Sequence, residues 1–338
     1  MMNWYESDKI DKSPIISSRV RLARNLAAYP FSARITADEA VALIDTVRAA
    51  VPDFQLIEPS KEERAIRLSM VENHDISPEA LRLAGDWPFA LLAGKESGIG
   101  IMVGEEDHIR IQAITPGNTL DEAFAAANEI DDYLEDTLNY AYHKEFGYLT
   151  SCPTNTGTGL RASFMVHLPM LERTKNLSNI VSNLSKLGMT VRGIYGESSK
   201  PLGSIYQVSN QVTLGKSEEE IIAELKNIGS QLVESEHALL QSAFTTNQSD
   251  MEDMIYRALG LLTHARKQTI NEAMDSLSTI RIGVLSGVLK KDLVDVPIYR
   301  IMMNVEPGNL QRMAGEHLSE NSMLIERARY LRELFGRN

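Results

Sequence analysis

The chain has one cysteine in 338 residues, which excludes an intramolecular disulfide and any cysteine-based zinc site and suits a reducing compartment. It also lacks any run of about 18 apolar residues, the length a membrane-crossing helix needs. Its start, Met1-Met2-Asn3-Trp4-Tyr5-Glu6, has neither the basic flank nor the apolar run of a signal peptide. Positive charge is in deficit: 34 Lys and Arg stand against 46 Asp and Glu, a net of −12, which argues against bulk binding of nucleic acid or of an anionic membrane. Internal repeats and low-complexity tracts are missing. A cytoplasmic protein is expected, with no direct nucleic-acid or membrane partner, in which arginines matter by position. With 43% hydrophobic and 24% charged residues, the chain reads as soluble, globular and long enough for two domains.

What is present concentrates near the middle, in Ser151-Cys152-Pro153-Thr154-Asn155-Thr156-Gly157-Thr158-Gly159-Leu160-Arg161-Ala162-Ser163. The glycines there would let backbone approach a ligand, hydroxyls and N–H groups could face phosphate oxygens, and Arg161 could fork onto them. A tight loop that merely joins two core strands is the other reading. Near the N-terminus, Arg19 and Arg21 alternate with Val20 and Leu22, a strand pattern that points both guanidinium groups to one face. That face suits polyphosphate, or it is a solvated edge.

The remaining periodicities fill in the frame. Thr36 and Glu39 form a capping box ahead of a helix that ends near Pro52. Residues 64 to 71 alternate and are expected to form a strand, leaving His74 in the following loop. Residues 99 to 103 and 109 to 113 make a hairpin with Glu105, Glu106 and Asp107 at its tip and Arg110 just beyond. Three acids there are a soluble turn unless a cation must be held. Thr119 and Glu122 are expected to box a long helix reaching about Tyr142. Strands are expected over 148 to 150, 163 to 168, 189 to 191 and 204 to 208, and a helix from Leu177 is closed by Gly188. From Ser217 onward the pattern is helical. The expected fold is α+β: an antiparallel β-sheet flanked by helices over residues 1–215, then a mostly α-helical C-terminal domain over 216–338.

Five arginines, Arg19, Arg21, Arg110, Arg161 and Arg192, each fall at a strand end or face, and Glu106 and Glu197 fall at turn tips beside two of them. Phosphoryl transfer from ATP needs that division, cations on the triphosphate and carboxylates on the acceptor. A guanidinium acceptor, with a pKa above ~12, arrives charged and weakly nucleophilic. Two carboxylates could orient it and one could take its proton. Cys152, as a thiolate, would add a third anion beside it, or is simply a small buried hydrophobe.

The run CPTNTGTGLRAS closely resembles the signature of the ATP:guanido phosphotransferases, the phosphagen kinases. SSRVRLARN, EEDHIRIQ, RGIYGE and IYQVSNQ match its other blocks in order. The resemblance implies the glutamine-synthetase-like catalytic fold and the use of ATP and Mg2+, with no metal site of the protein's own. It implies nucleotide contacts from Ser17, Ser18, Arg19, Val20 and Arg21, from His74, from Arg110, from Arg161, Ala162, Ser163, Phe164 and Met165, and from Arg192, Gly193, Ile194, Tyr195 and Gly196. It makes Glu106, Glu197 and Cys152 the acceptor-side catalytic residues.

Small-metabolite members carry a helical N-terminal domain whose loop closes over the substrate; with the arginine strand at residue 17 that domain is expected to be missing here. The whole pattern is similar to the bacterial protein-arginine kinases, which phosphorylate arginine side chains of proteins. That branch implies arginine-containing protein substrates, marking for the Clp protease system, a heat-shock repressor among the substrates, a zinc-binding activator protein and a homodimer. Its phosphoarginine pocket, Arg-Asp-x-x-Arg-Ala, aligns with Met323 to Ala328, where only Arg327 and Ala328 remain. A kinase of small guanidines such as free arginine, and a non-catalytic regulatory module, are the alternatives.

Overall fold

The computed structural model describes residues 3–7, 9–10, 13–81, 87–193, 201–290, 293 and 296–336. Strand β1 (Ile15–Arg24) comes first, then helix α1 (Ala37–Ala50), where Thr36 and Glu39 exchange the two hydrogen bonds of the expected box. β2 (Gln55–Ile57), α2 (Arg64–Glu72), β3 (Ala90–Ala93), β4 (Ile99–Val103) and β5 (Ile109–Pro116) follow. Next come α3 (Leu120–Thr137), a short ribbon of β6 (Tyr142–His143) and β7 (Gly147–Tyr148), β8 (Leu160–His167), α4 (Pro169–Arg173), α5 (Leu177–Lys186), β9 (Met189–Gly193) and β10 (Ile205–Asn210). The rest is helical: α6 (Glu218–His264), α7 (Ile270–Leu285), α8 (Ile298–Asn304), α9 (Pro307–Ala314) and α10 (Glu320–Phe335).

Eight strands form one antiparallel sheet in the order β2-β3-β4-β5-β1-β8-β10-β9, the α+β architecture that the hairpin-rich pattern predicts. Its two faces have opposite characters because side chains alternate along each strand. On one face Val20, Leu22, Ile111, Ala162, Phe164 and Val208 are sealed under α1, α3 and the first half of α6. The other face carries Arg19 and Arg21. Its lower end, at Ile114, Met165 and Ile205, is roofed by Trp4 and by apolar side chains of α7, α8 and α10. α6 serves both layers. Ile221, Leu225, Ile228 and Leu232 join the first core, Met251, Ile255 and Leu262 the second, and the helix kinks between them at Asn247, where φ is −140° and ψ 48°.

Four local expectations are corrected. Residues 64 to 71 are a helix, not a strand. Ile66 and Met70 are as well spaced for one helix face as for a strand, and packing of Ser69 and Glu72 against α9 decides. α3 ends at Thr137, five residues before Tyr142, because the next stretch pairs with the end of β1: Ala27 N–H donates to the Asn139 carbonyl, and Ala141 N–H to that of Asn25. The Thr119 box does not form. That hydroxyl turns back to Thr115 and to the Pro116 carbonyl. Of the strand expected over 148 to 150, only Tyr148 is in a ribbon.

The sheet core leaves no room where α6 crosses it. A β-carbon on Gly229 would lie 2.7 Å from the Phe164 ring, and Phe164 is fully buried. Gly229→Val is expected to destabilise the protein by ~1–3 kcal/mol through overpacking. Urea unfolding checks this, and an unchanged midpoint would count against the packing described.

Candidate active site

The register of the central strands assembles the arginines. Arg21 lies opposite Arg161 of β8 on one side and Gln112 of β5 on the other. Arg19 pairs with Ser163 and Ile114, and Arg110 with Ala23. β10 carries the same face outward, with Gln207 between Met165 and Arg192. Directly paired residues share a face, so all five guanidinium groups stand on one side of the sheet, each half-buried.

Their electrostatics are unbalanced. Arg110 pairs with the buried Glu105, which is also held by the Ser77 hydroxyl. Arg19 donates to the Gln112 side chain, Arg161 to Ser209 at 3.4 Å, and Arg192 to Thr190 at 3.1 Å. The Nε atoms of Arg19, Arg21 and Arg110 are buried without an acceptor. Burial first, then Arg110 and Arg161, push Arg19 down to about 9, and burial with the same neighbours and Arg19 pushes Arg21 well below the ordinary range. Guanidinium does not give up its proton near neutral pH, so the site holds several positive charges with buried donors in want of an anion. A polyphosphate supplies what is missing.

His74 closes the lower end. It sits just past α2 in the left-handed region, with φ 64°, and its carbonyl accepts from Gln112 Nε2 at 2.7 Å. Burial and the charges of Arg19 and Arg21 drop its pKa to about 3, so the ring is neutral. With Ser17, Arg19, Ser163, Met165 and Gln207 it lines a small recess.

At the other end the hairpin tip divides its work among successive residues. Glu105 is buried with Arg110, while Glu106 is exposed at the rim. Asp107 points inward and accepts from Asn25 Nδ2 and from the Ser151 N–H, both at 2.7 Å, which pins the cysteine loop beside the tip. His108 Nδ1 accepts from the Leu26 N–H, so its Nε2 carries the proton and donates to the Pro30 carbonyl at 2.8 Å. Cys152 is half-buried, its sulfur 3.0 Å from the Thr154 hydroxyl.

The loop glycines do something other than the sequence implied. A β-carbon on Gly157 (φ 121°) would strike the Thr213 carbonyl at 2.3 Å, and one on Gly159 (φ 65°) would meet Arg24 Nη1 at 2.5 Å. Both make room for protein backbone and for Arg24, not for a ligand. Arg24 is the support that the sequence reading missed. It is buried and ion-paired with Asp131 of α3, it donates to the Ala23 and Thr158 carbonyls at 2.9 Å, and its guanidinium lies 3.5 Å from the centre of the Tyr148 ring. The signal was available: Arg24 falls on the core-facing parity of β1, and Asp131 interrupts the apolar stripe of α3.

Other expected contacts fall elsewhere. Val20, Ala162 and Phe164 face the opposite core, and the Ser18 hydroxyl ties the Gly117 carbonyl and the Thr119 N–H. These positions support the site from beneath. Gly193 ends β9 opposite Tyr206. Ile194, Tyr195, Gly196 and Glu197 lie outside the described residues. Arg327 and Ala328 are buried in α10, where Arg327 donates to the Val305 and Gln268 carbonyls.

The crowding of cations makes a test. Arg21→Met is expected to stabilise the ligand-free protein by ~0.5–2 kcal/mol, because a charge held against three others is removed, as in other trades of function for stability. The depressed folded-state pKa of an arginine is a cost present at neutral pH and relieved only at high pH. Inorganic triphosphate at ~100 times its Kd is expected to stabilise the wild type by ~2.7 kcal/mol and the variant far less. Thermal unfolding with and without triphosphate measures both, and equal stabilisation of the two proteins would overturn the assignment.

Residues 39–239 match the family model of the ATP:guanido phosphotransferase C-terminal catalytic domain, and residues 248–338 match that of the protein-arginine kinase McsB C-terminal domain. The chain is 42% identical over 329 residues to a protein-arginine kinase of Caldanaerobacter subterraneus subsp. tengcongensis, covering 95% of this chain and 96% of that one. It is 39% identical over 341 residues to a protein-arginine kinase of Bacillus licheniformis, covering 98% and 93%. Among solved structures, the duplicated taurocyamine kinase from Schistosoma mansoni, with bound transition state analog components, superposes with a TM-score of 0.61 at 26% identity. That match covers 72% of this chain and 37% of the duplicated one. Lombricine kinase superposes with a TM-score of 0.59 at 25% identity, over 70% and 69%. With one face of the sheet carrying the arginine cluster, and a catalytic-domain model spanning more than half of its length, the chain belongs to the ATP:guanido phosphotransferase family.

Proposed function

We propose that this protein is an ATP-dependent protein-arginine kinase, which moves the γ-phosphoryl group of ATP onto a guanidinium nitrogen of an arginine side chain on another protein. The observation that carries the reading is the arginine face of β1, β5 and β8 together with an exposed carboxylate, Glu106, at the tip of the β4–β5 hairpin. The similarity to protein-arginine kinases along nearly the whole chain supports it.

In the reaction, Arg19, Arg21, Arg110, Arg161 and Arg192 hold the phosphates and the charge that builds on the transferring group. Glu106 holds the acceptor guanidinium by charge-assisted hydrogen bonds, Glu197 is the second such carboxylate, and Cys152 flanks them. A guanidinium nitrogen attacks the γ-phosphorus and the bond from that phosphorus to the β,γ-bridging oxygen breaks. ADP leaves with that electron pair, and the guanidinium proton passes to a carboxylate. Mg2+ would arrive on the nucleotide's own oxygens, neutralising their charge. Among the described residues no group of three or more His, Cys, Asp or Glu side chains is placed to hold a metal ion.

Through the resemblance, the proposal extends to a homodimer in the cytoplasm, a zinc-binding activator, and delivery of marked proteins, a stress-response repressor among them, to a Clp-type protease. Among the described residues no helix is long and apolar enough to cross a membrane.

Incubation with ATP, magnesium and a mixed protein extract is expected to give acid-labile phosphate on arginine, located by mass spectrometry. Free arginine offered separately should turn over far more slowly, and equal turnover would favour a small-guanidine kinase. Glu106→Gln is expected to lose at least ~100-fold in kcat while still binding ATP, since orientation and proton removal both suffer. Near wild-type turnover would remove Glu106 from its role.

A further inference from the structure

The contact between α2 and α9 is built with more precision than a packing surface requires. Gly308 sits so close to α2 that a β-carbon on it would lie 2.5 Å from the Ser69 backbone nitrogen and 2.9 Å from the Glu72 carboxylate. Both oxygens of that carboxylate are taken: Oε1 accepts from the Gly308 N–H and Oε2 from the Asn309 N–H, each at 2.7 Å. Asn309 completes the joint. Its Oδ1 accepts from the Ser69 hydroxyl at 2.7 Å, and its Nδ2 donates to Asn73 Oδ1 at 3.0 Å and to the Met303 carbonyl at 3.1 Å. Ser69, Glu72, Asn73 and Asn309 are all buried.

This joint lies one residue from His74, whose left-handed backbone is unusual for a residue with a side chain. The His74 carbonyl receives Gln112 Nε2, and the other end of the same amide, Oε1, receives Arg19. An unbroken line of hydrogen bonds and backbone therefore runs from the start of α9, through Glu72 and Asn73, to a guanidinium of the arginine face. Gln112 has one amide with a fixed donor end and a fixed acceptor end, so a shift of the His74 carbonyl moves the group that orients Arg19. Burial pushes the Glu72 carboxyl up to about 7, against which the two N–H groups at a helix start, the favourable arrangement for an anion, and then Arg327 and Arg312 favour its charge.

We propose that Glu72 is a positioning residue for the nucleotide: its grip on the start of α9 sets the turn at His74, and through Gln112 it sets Arg19. The C-terminal helices thereby tune affinity for ATP without touching it. This rests on the arginine face being the ATP site.

The linkage is reciprocal, so the wild-type protein supplies the first test. Saturation with a non-hydrolysable ATP analogue is expected to shift the amide resonances of Gly308 and Asn309, while those at the far end of α9, near Ala314, stay in place. In Glu72→Gln, KM for ATP is expected to rise ~10-fold, within the usual span of such couplings, with kcat and KM for the protein substrate nearly unchanged. Adding Gln112→Ala to that variant should cost less than it does alone, since both act along one line. Should Glu72→Gln fail to fold, Glu72→Asp, whose carboxylate is one methylene short of the two N–H groups, is read in the same way. Unmoved amides in a wild type that binds the analogue, or an unchanged KM for ATP in a folded variant, would overturn the role of Glu72. A wild type that does not bind ATP at all would instead remove the reading beneath it.

Discussion

Five like charges held on one face of a sheet are the constraint around which the molecule is arranged. Guanidinium groups at neighbouring ladder positions repel, and burial weakens the screening that water would give them. The fold keeps them together because the same strands bury Val20, Leu22, Ala162 and Phe164 on the opposite face, and a one-residue slip would exchange the two sets. Register is therefore fixed by the apolar side and exploited by the charged side. Arg110 has a buried carboxylate beside it, Glu105. The crowding of guanidinium groups on this face favours a polyanion there.

The acceptor end is built differently, from pinned loops. Asp107, His108, Asn25 and Arg24 each fix a backbone segment: Asp107 holds residue 151, His108 holds residues 26 and 30, Asn25 holds residues 108 and 149, and Arg24 holds residues 23 and 158. Buried polar groups of this kind are stable because every one is satisfied. The result is that Glu106 and Cys152, both able to meet solvent, each adjoin one partner of the hydrogen bond between Asp107 and Ser151. Glycines 157 and 159 serve the same end by letting backbone pass close to backbone.

The helical third is joined to the sheet by buried polar contacts as well as by apolar ones. Arg281 of α7 reaches the carbonyls of Ile10 and Ser13 and donates to His167 Nδ1, and His167 Nε2 then meets the Ser278 hydroxyl at 2.7 Å. Glu236 of α6 takes the Met170 and Leu171 N–H groups at the start of α4. Glu72 does the same for α9. Each joint places an ionisable side chain on backbone donors or acceptors at the end of an element, where helices leave such groups unsatisfied. These contacts are directional, so they fix how the helices sit on the arginine face, which apolar packing alone would leave looser.

By itself the sequence determined the parts that depend on local periodicity and on chemical type. The alternation around Arg19 and Arg21, the hairpin with acids at its tip, the capping box at Thr36, the helical pattern from Ser217 and the order of the family blocks all follow from neighbours along the chain. Only the tertiary structure decided that residues 64 to 72 are a helix, because a short window with Ile66 and Met70 fits both periods until α9 is present to bury Ser69 and Glu72. It alone brought Arg110, Arg161 and Arg192, which are far apart in sequence, onto one face, and sorted the three acids of the tip into a buried partner, an exposed carboxylate and a loop pin. The reason is physical: periodicity tells which way a side chain points from its own strand, whereas which strand lies beside it, and therefore which charge it meets, is set by packing across the whole sheet.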